Sequence, residues 1–267
     1  MNNLHVPVML NEIKSFIPNN KEINLIDATF GGGGYSRAIL EEFKVKNLIA
    51  IDRDPISLVF FNELKKKYRN IEFYNEKFSK IDEIINQSKN SKQKFDVIIF
   101  DIGVSSNQID NPDRGFSFQS EGPLDMKMSS SGLNAFEVIN SYDEKSLSDI
   151  FFKLGEERYS RRIAKNIVIY RDKKSIDNTL ELSEIIKKSL PFTNSKKKTH
   201  PATKTFQALR IFINDELNEL KKALEKSEAL LAKDGLLIIV SFQSLEDRIV
   251  KDYFNHNSGK RWRSSRH

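Results

Sequence analysis

Short apolar runs alternate with longer amphipathic stretches through the first hundred residues. Ile23-Asn-Leu-Ile-Asp-Ala28 reads as a buried strand that ends in a glycine turn and feeds a helix from about Tyr35 to Phe43. Leu48-Ile-Ala-Ile51 predicts a second strand. After it, Asp54 can cap a helix with Pro55 in its first position and Leu58, Phe61 and Leu64 or Tyr68 on its inner face. Ile71 and Phe73 mark a third strand, and Ile81, Ile84 and Ile85 fall at helical spacing over about 80–87. Phe95-Asp-Val-Ile-Ile-Phe100 is a fourth strand, ending at Asp101. Alternation of this kind builds parallel strand–helix–strand units, with ligands beyond the carboxyl ends of the strands.

From about Asn111 to Pro201 the pattern predicts no strand. A glycine- and proline-rich loop, Asp113 to Gly132, leads into helices near 134–140, 144–154, 158–170 and 179–190, with Asp143 and Asn178 as caps. The α/β pattern then resumes. Phe206, Leu209, Ile213, Leu217, Leu220 and Leu224 step along one long helix or a bent pair. Asp234-Gly235 is a turn, Leu236 to Val240 a buried strand, and a last helix runs from about Leu245 to Phe254. The expected architecture is an α/β, Rossmann-like domain over 1–110 and 202–267, interrupted by a helical domain over 111–201.

Composition narrows the chemistry. A chain of 267 residues can bury a proper core, and the absence of cysteine excludes disulfides, thiolate metal sites and thiol nucleophiles. Four histidines lack ligand spacing, so no metal is expected. No apolar run approaches the ~20 residues of a membrane helix. Nor does the N-terminus resemble a signal peptide, so a soluble cytoplasmic protein is expected. The net charge of +6 is small, and its lysine excess is equally a trait of genome composition. Placement is more informative. Lys187 to Lys204 holds six lysines and no acid, and Lys251 to His267 carries Lys251, Lys260, Arg261, Arg263 and Arg266 against Asp252 alone. Two such clusters suit phosphates.

The chemistry-bearing segment is Asp27-Ala-Thr-Phe-Gly31-Gly-Gly-Gly34-Tyr-Ser36, between the first strand and the first Rossmann helix. Glycine lets a ligand approach the backbone, and the helix start offers unpaired N–H groups and a positive dipole end. By itself the turn indicates a nucleotide-like cofactor, with a nicotinamide dehydrogenase still open. A dinucleotide fingerprint would need glycine or alanine at position 36, where Ser36 stands, so a methyltransferase turn fits better. Asp52 closes the second strand about 20 residues on, where an acid can accept ribose hydroxyls. Phe78 follows the third strand and can pack on an adenine face or in the core. Asp101 ends the fourth strand, and Gln108 lies just beyond.

These residues resemble one family. Thr29-Phe-Gly-Gly-Gly-Gly-Tyr-Ser-Arg37, Ala50-Ile-Asp-Arg-Asp-Pro55 and Asp101-Ile-Gly-Val-Ser-Ser106 are similar to the RsmH (formerly MraW) family. So are Arg114-Gly-Phe-Ser-Phe118, Gly122-Pro-Leu-Asp-Met126 and Gly155-Glu-Glu-Arg158, and further on His200-Pro-Ala-Thr203, Phe206-Gln-Ala-Leu-Arg210 and Ser244-Leu-Glu-Asp-Arg248. The resemblance implies a class I S-adenosylmethionine-dependent methyltransferase with an inserted helical, substrate-recognising domain. It implies methylation of the exocyclic N4 of a cytidine in the decoding region of bacterial 16S rRNA, with the small ribosomal subunit as partner. It also implies S-adenosyl-L-methionine contacts from Gly33, Gly34, Tyr35, Asp52, Phe78, Asp101 and Gln108. Tyr35 and Gln243 stand where the family usually has histidine. The chain also stops at His267, short of the family's usual C-terminal segment, so a final antiparallel edge strand is expected to be missing or rearranged.

The cytosine amine is a poor nucleophile because its lone pair is delocalised into the ring. A hydrogen-bond acceptor on it would favour the attacking form. Asp101 and Ser105, or carbonyls between them, are the expected catalytic groups, with Asp125 behind them. An unstacked base suits Phe116 and Phe118 as stacking partners in the Arg114 loop, while Lys196, Lys197, Lys198 and the C-terminal arginines suit phosphates. Methylation of DNA or protein, and a non-catalytic RNA-binding role, are the alternatives.

Overall fold

The computed structural model describes residues 7–191 and 200–259. It forms two compact units, one comprising the chain up to Gly103 and from Leu217 onward, the other Val104–Glu216.

The first unit is built on five parallel strands: β1 (Ile23–Asp27), β2 (Val45–Ile51), β3 (Ile71–Tyr74), β4 (Phe95–Asp101) and β5 (Leu231–Val240), in the order β3-β2-β1-β4-β5. The chain runs outward from β1 to β3, then returns to lay β4 on the other side of β1. That reversal places the ligand-binding crevice of such sheets at the carboxyl ends of β1 and β4. Side-chain alternation sends one set of strand residues to each face. Leu25, Leu48, Ala50, Val97 and Ile99 pack with α1 (Leu10–Phe16), α2 (Gly34–Glu42) and α3 (Ser57–Lys67), through Ile13, Ile39, Phe61 and Leu64. Ile26, Ile49, Ile51, Ile98 and Phe100 pack with α4 (Ile81–Gln87), α11 (Glu216–Ser227) and α12 (Ser244–Asn257), through Ile84, Ile85, Leu220, Leu224 and Ile249. Burial on both faces explains why these strands read as near-continuous apolar runs.

Two local differences from the sequence pattern have clear causes. The Asp54 carboxylate accepts the Ile56 N–H at 3.2 Å, closing a turn ahead of α3, so the helix starts at Ser57 rather than at Pro55. β5 begins five residues before Leu236. Leu231 pairs with Phe95, the chain bulges through Asp234 at φ 61°, and pairing resumes with Leu236 opposite Val97.

The second unit is helical: α5 (Ser106–Asp110), α6 (Ala135–Ser141), α7 (Glu144–Gly155), α8 (Ser160–Arg171), α9 (Thr179–Ser189) and α10 (Thr203–Asn214). Asp143 and Asn178 cap α7 and α9 as expected, accepting the N–H groups of Ser146 and Glu181. The Phe206-to-Leu224 pattern is a bent pair, broken where Asp215 takes a left-handed conformation at φ 52°. The unit reaches beyond the expected 111–201 limits and takes in α10, because that helix packs on α7. The cause is Gly155. A Cβ there would run into the Lys204 carbonyl and lie 3.1 Å from the Ala208 Cβ, so only glycine lets the backbones approach this closely.

Gly155→Ala should therefore lower stability by about 1–3 kcal/mol, the usual cost of overpacking. Thermal melting checks this, and an unchanged midpoint would show that α7 and α10 can part freely.

Candidate active site

At the carboxyl end of β1 the chain turns sharply. The Ala28 N–H donates to Ile99 on β4 and the Phe30 N–H to Ile51 on β2, so the turn is stitched to both neighbouring strands. Gly33 is the residue before α2, at φ 75°, and a Cβ on it would stand 2.7 Å from the Phe30 ring. Glycine is required there twice over, by conformation and by space. Gly34 and Tyr35 open α2, where backbone N–H groups point out of the helix end. Tyr35 itself is buried, and its hydroxyl donates to the Val8 carbonyl. Its expected cofactor contact is thus limited to backbone, and the side chain anchors the segment before α1.

Three acids hold this turn. Asp27 is buried, accepts the Ser36 hydroxyl at 2.6 Å, and has its carboxyl pushed up to about 6, chiefly by burial. Ser36 is therefore a clamp on Asp27, the physical reason for serine where a dinucleotide turn carries glycine. Asp52, half-buried at the end of β2, accepts the Gly31 N–H at 2.6 Å and the Asp54 N–H at 2.8 Å. Burial raises its carboxyl above the ordinary range against those two bonds. Asp101 ends β4, and its N–H donates to the Thr29 hydroxyl at 2.6 Å. Its Oδ1 is buried without a hydrogen-bond partner among the described residues. Burial, then the charges of Asp27 and Glu246, raise the Asp101 carboxyl to about 7.

Glu246, Thr29 and Phe242 complete the arrangement and were not singled out from sequence. Glu246, 1% exposed in the first turn of α12, accepts the Phe242 N–H at 3.2 Å and the Gln243 side-chain amide at 2.6 Å. Gln243, one of the two departures from the family's histidines, is thereby accounted for as a tie on Glu246. Phe242 is 58% exposed, and its ring lies 3.6 Å from where a Cβ on Gly103 would be. A charged residue within one turn of a strand end was the available signal for Glu246. Phe78 packs edge-to-face on Phe100 at 5.6 Å, against the core on the α4 face, and remains partly exposed.

The remaining expected residues belong to the helical unit. Ser105 and Gln108 form a capping box on α5: the Gln108 N–H donates to the Ser105 hydroxyl at 3.4 Å and the Ser105 N–H to Gln108 Oε1 at 3.0 Å. Both side chains thus serve the start of α5, and Gln108 is buried. The Arg114 guanidinium donates to the carbonyls of Lys127 and Met128, at 2.8 and 3.4 Å, and lies over Phe116. Phe116 corrects an expectation. At 9% exposure its ring is part of the helical core, so it anchors the loop instead of offering a face to a base. Phe118 stacks on His200 at 4.6 Å and meets Phe206 edge-on. Asp125 pairs with Lys127 at 3.2 Å. Lys196, Lys197, Lys198, Lys260, Arg261, Arg263 and Arg266 lie outside the described residues. Among the described residues no group of histidines and acids is placed to hold a metal, and no helix is long and apolar enough to cross a membrane.

The raised Asp101 carboxyl has a consequence for stability. Its folded value of about 7 lies above the ordinary 3.8, so the fold favours the protonated form. Stability from this group is fully present below about pH 4 and is lost as pH rises through about 7. Asp101→Asn should therefore raise the melting midpoint at pH 8 by a few degrees, on the order of 1–2 kcal/mol for a half-buried group, with the gain vanishing near pH 4. Melting curves across that window check it, and a gain independent of pH would contradict it.

Comparison with known proteins identifies the family. The MraW methylase family matches residues 2–263. The chain is 48% identical over 258 residues to the ribosomal RNA small subunit methyltransferase H of Rickettsia massiliae (strain Mtu5), covering 96% of this chain and 81% of the relative. It is 49% identical over 262 residues to the protein of the same description in Rickettsia canadensis (strain McKiel), covering 97% and 82%. Among solved structures, the cyclopropane synthase MmaA2 of Mycobacterium tuberculosis aligns with 94% of this chain and 76% of its own, at 12% identity and a TM-score of 0.29, a likeness that carries no argument. The family match and the relatives settle the class: the chain belongs to the MraW methylase family and is an S-adenosylmethionine-dependent methyltransferase.

Proposed function

We propose that the protein methylates the exocyclic N4 of a cytidine in the decoding region of small-subunit (16S) ribosomal RNA, within the small ribosomal subunit. The observation that carries this reading is the Asp101 carboxylate. It sits at the carboxyl end of β4 beside the glycine turn, with one buried oxygen lacking a partner among the described residues. An orphaned buried oxygen is costly to keep, and an N–H donor would satisfy it. The small-subunit RNA assignment draws on the names of the Rickettsia relatives.

S-adenosylmethionine, when bound, supplies an electrophilic methyl group on its sulfonium. The α2 start at Gly33, Gly34 and the Tyr35 backbone suits its carboxylate, Asp52 its ribose, and Phe78 one face of its adenine. Asp101 Oδ1 would accept one N–H of the cytosine amine, drawing the nitrogen lone pair out of conjugation so that it can attack. If the N–C bond formed as the sulfonium C–S bond broke to leave a neutral thioether, the amine would become acidic and Asp101 would take its proton. The carboxyl, poised at about 7, is basic enough to take that proton and acidic enough to release it to water. Ser105 and Gln108 cap α5 and act there as positioning residues. The exposed ring of Phe242, beside Gly103 at the same sheet end, is an available face for an unstacked base; Phe118 offers a partly exposed ring within the helical unit. We assign substrate recognition to the helical unit, whose Arg114 loop is tied down by carbonyl contacts.

The test is methyl transfer from labelled S-adenosylmethionine to under-methylated small subunits, followed by nucleoside analysis. Label should appear as N4-methylcytidine. The rate should rise with pH through about 7, because only the ionised carboxylate accepts the proton. Asp101→Asn should cut turnover by about 10²–10⁴-fold and abolish that rising limb, with cofactor held saturating so that any loss of its affinity does not enter the rate. Label in a different nucleoside, or full turnover by Asp101→Asn, would overturn the assignment.

A further inference from the structure

Helix α8 carries a face that its own stability does not explain. Its buried side, Ile163, Ala164 and Ile167, packs into the helical core. On the opposite side Arg161, Arg162 and Lys165 are exposed, and Arg158, in the turn leading into the helix, is exposed with them. Spacing of one, three and four puts Arg161, Arg162 and Lys165 within one outward face about 100° wide, and Arg158 precedes them in the turn.

Several lysines elsewhere on this surface pair with an acid of their own helix or of the segment leading into it. Lys66 pairs with Glu63, Lys80 with Glu76, Lys153 with Asp149, Lys187 with Glu184 and Lys251 with Asp247. The four cations of the α8 face have no ion pair among the described residues, and the first turn of the helix holds no acid. Like charges three and four apart repel, and cations at this end of a helix oppose its dipole. Each placement costs stability where an acid would add it. One exposed aromatic side chain adjoins the cluster in sequence: Tyr159, between Arg158 and the start of the helix, is 39% exposed.

We propose that this face of α8 binds the phosphate backbone of the RNA substrate, with Arg158, Arg161, Arg162 and Lys165 as the contacts. The inference rests on the RNA assignment above, since a cationic face without acids complements a polyanion, and the adjoining Tyr159 ring suits an unpaired base. Contacts of this kind position the substrate and carry no sequence information, so they act on affinity and leave the chemical step alone.

The experiment measures binding of the full-length protein to under-methylated small subunits over a range of salt, alongside methyl transfer. Variants replace the four residues with Gln, singly and together. A second quadruple variant changes the ion-paired Lys14, Lys66, Lys67 and Lys80 to Gln, removing the same charge elsewhere. Each α8 substitution should weaken binding and reduce the slope of log affinity against log salt by about 0.7–0.9 per lost phosphate contact. The α8 quadruple variant should raise KM at least tenfold with kcat at saturating subunit and cofactor affinity unchanged, while the control should stay close to wild type. A wild-type salt slope in the α8 quadruple variant, or an equal loss in the control, would overturn the proposal. Because binding is read separately from turnover, a wild-type protein that transfers no methyl group would instead contradict the substrate assignment.

Discussion

The site depends on negative charge held where water is scarce. Asp27 and Asp101 end adjacent parallel strands, β1 and β4, at the reversal point of the sheet, and Glu246 adds a third carboxylate from the start of α12. Such a cluster is tolerated only when hydrogen bonds compensate it. Ser36 donates to Asp27, and the Phe242 N–H and Gln243 amide donate to Glu246, while the glycine turn holds Asp52 through the Gly31 N–H and fixes the Asp101 backbone through the Thr29 hydroxyl. The turn and the acids therefore form one unit, and neither keeps its shape without the other. What remains uncompensated is one oxygen of Asp101, and that residual deficit is the chemical capacity of the site.

Much of this was legible in the sequence because it is written in local patterns. Fully buried parallel strands give continuous apolar runs, and an acid at the end of each of three such runs marks the crevice. Glycines in a row between strand and helix mark the turn. Caps at Asp143 and Asn178 follow from side-chain chemistry alone. What escaped depended on contacts between distant segments. α10 joined the helical unit because Gly155 admits the Lys204 backbone, a contact across roughly fifty residues. Phe116 and Tyr35 looked like surface groups near a ligand, yet neighbouring elements bury both rings. Glu246 lies far along the chain from Asp101, and only the pairing of β4 with β5 brings its helix to the same end of the sheet.

Charge is divided by purpose between the two units. In the Rossmann-like unit, buried carboxylates serve one reacting proton, and several exposed lysines, Lys66, Lys67 and Lys251 among them, neutralise nearby acids. In the helical unit, the outward face of α8 keeps its cations unpaired among the described residues. A poor nucleophile needs a positioned acceptor in a dry place, and a large polyanion needs a broad, wet, cationic surface. These demands conflict in dielectric environment. A chain that interrupts its sheet domain with a helical one meets both.

The central physical claim is that the fold holds the Asp101 carboxyl near neutrality through burial and its acidic neighbours. Carbon-13 NMR titration of the Asp101 side-chain carboxyl in the full-length protein measures this directly. The account predicts a midpoint near 7, falling when Asp27→Asn removes the neighbouring charge. A midpoint near the ordinary carboxylate value, unaffected by Asp27→Asn, would contradict it.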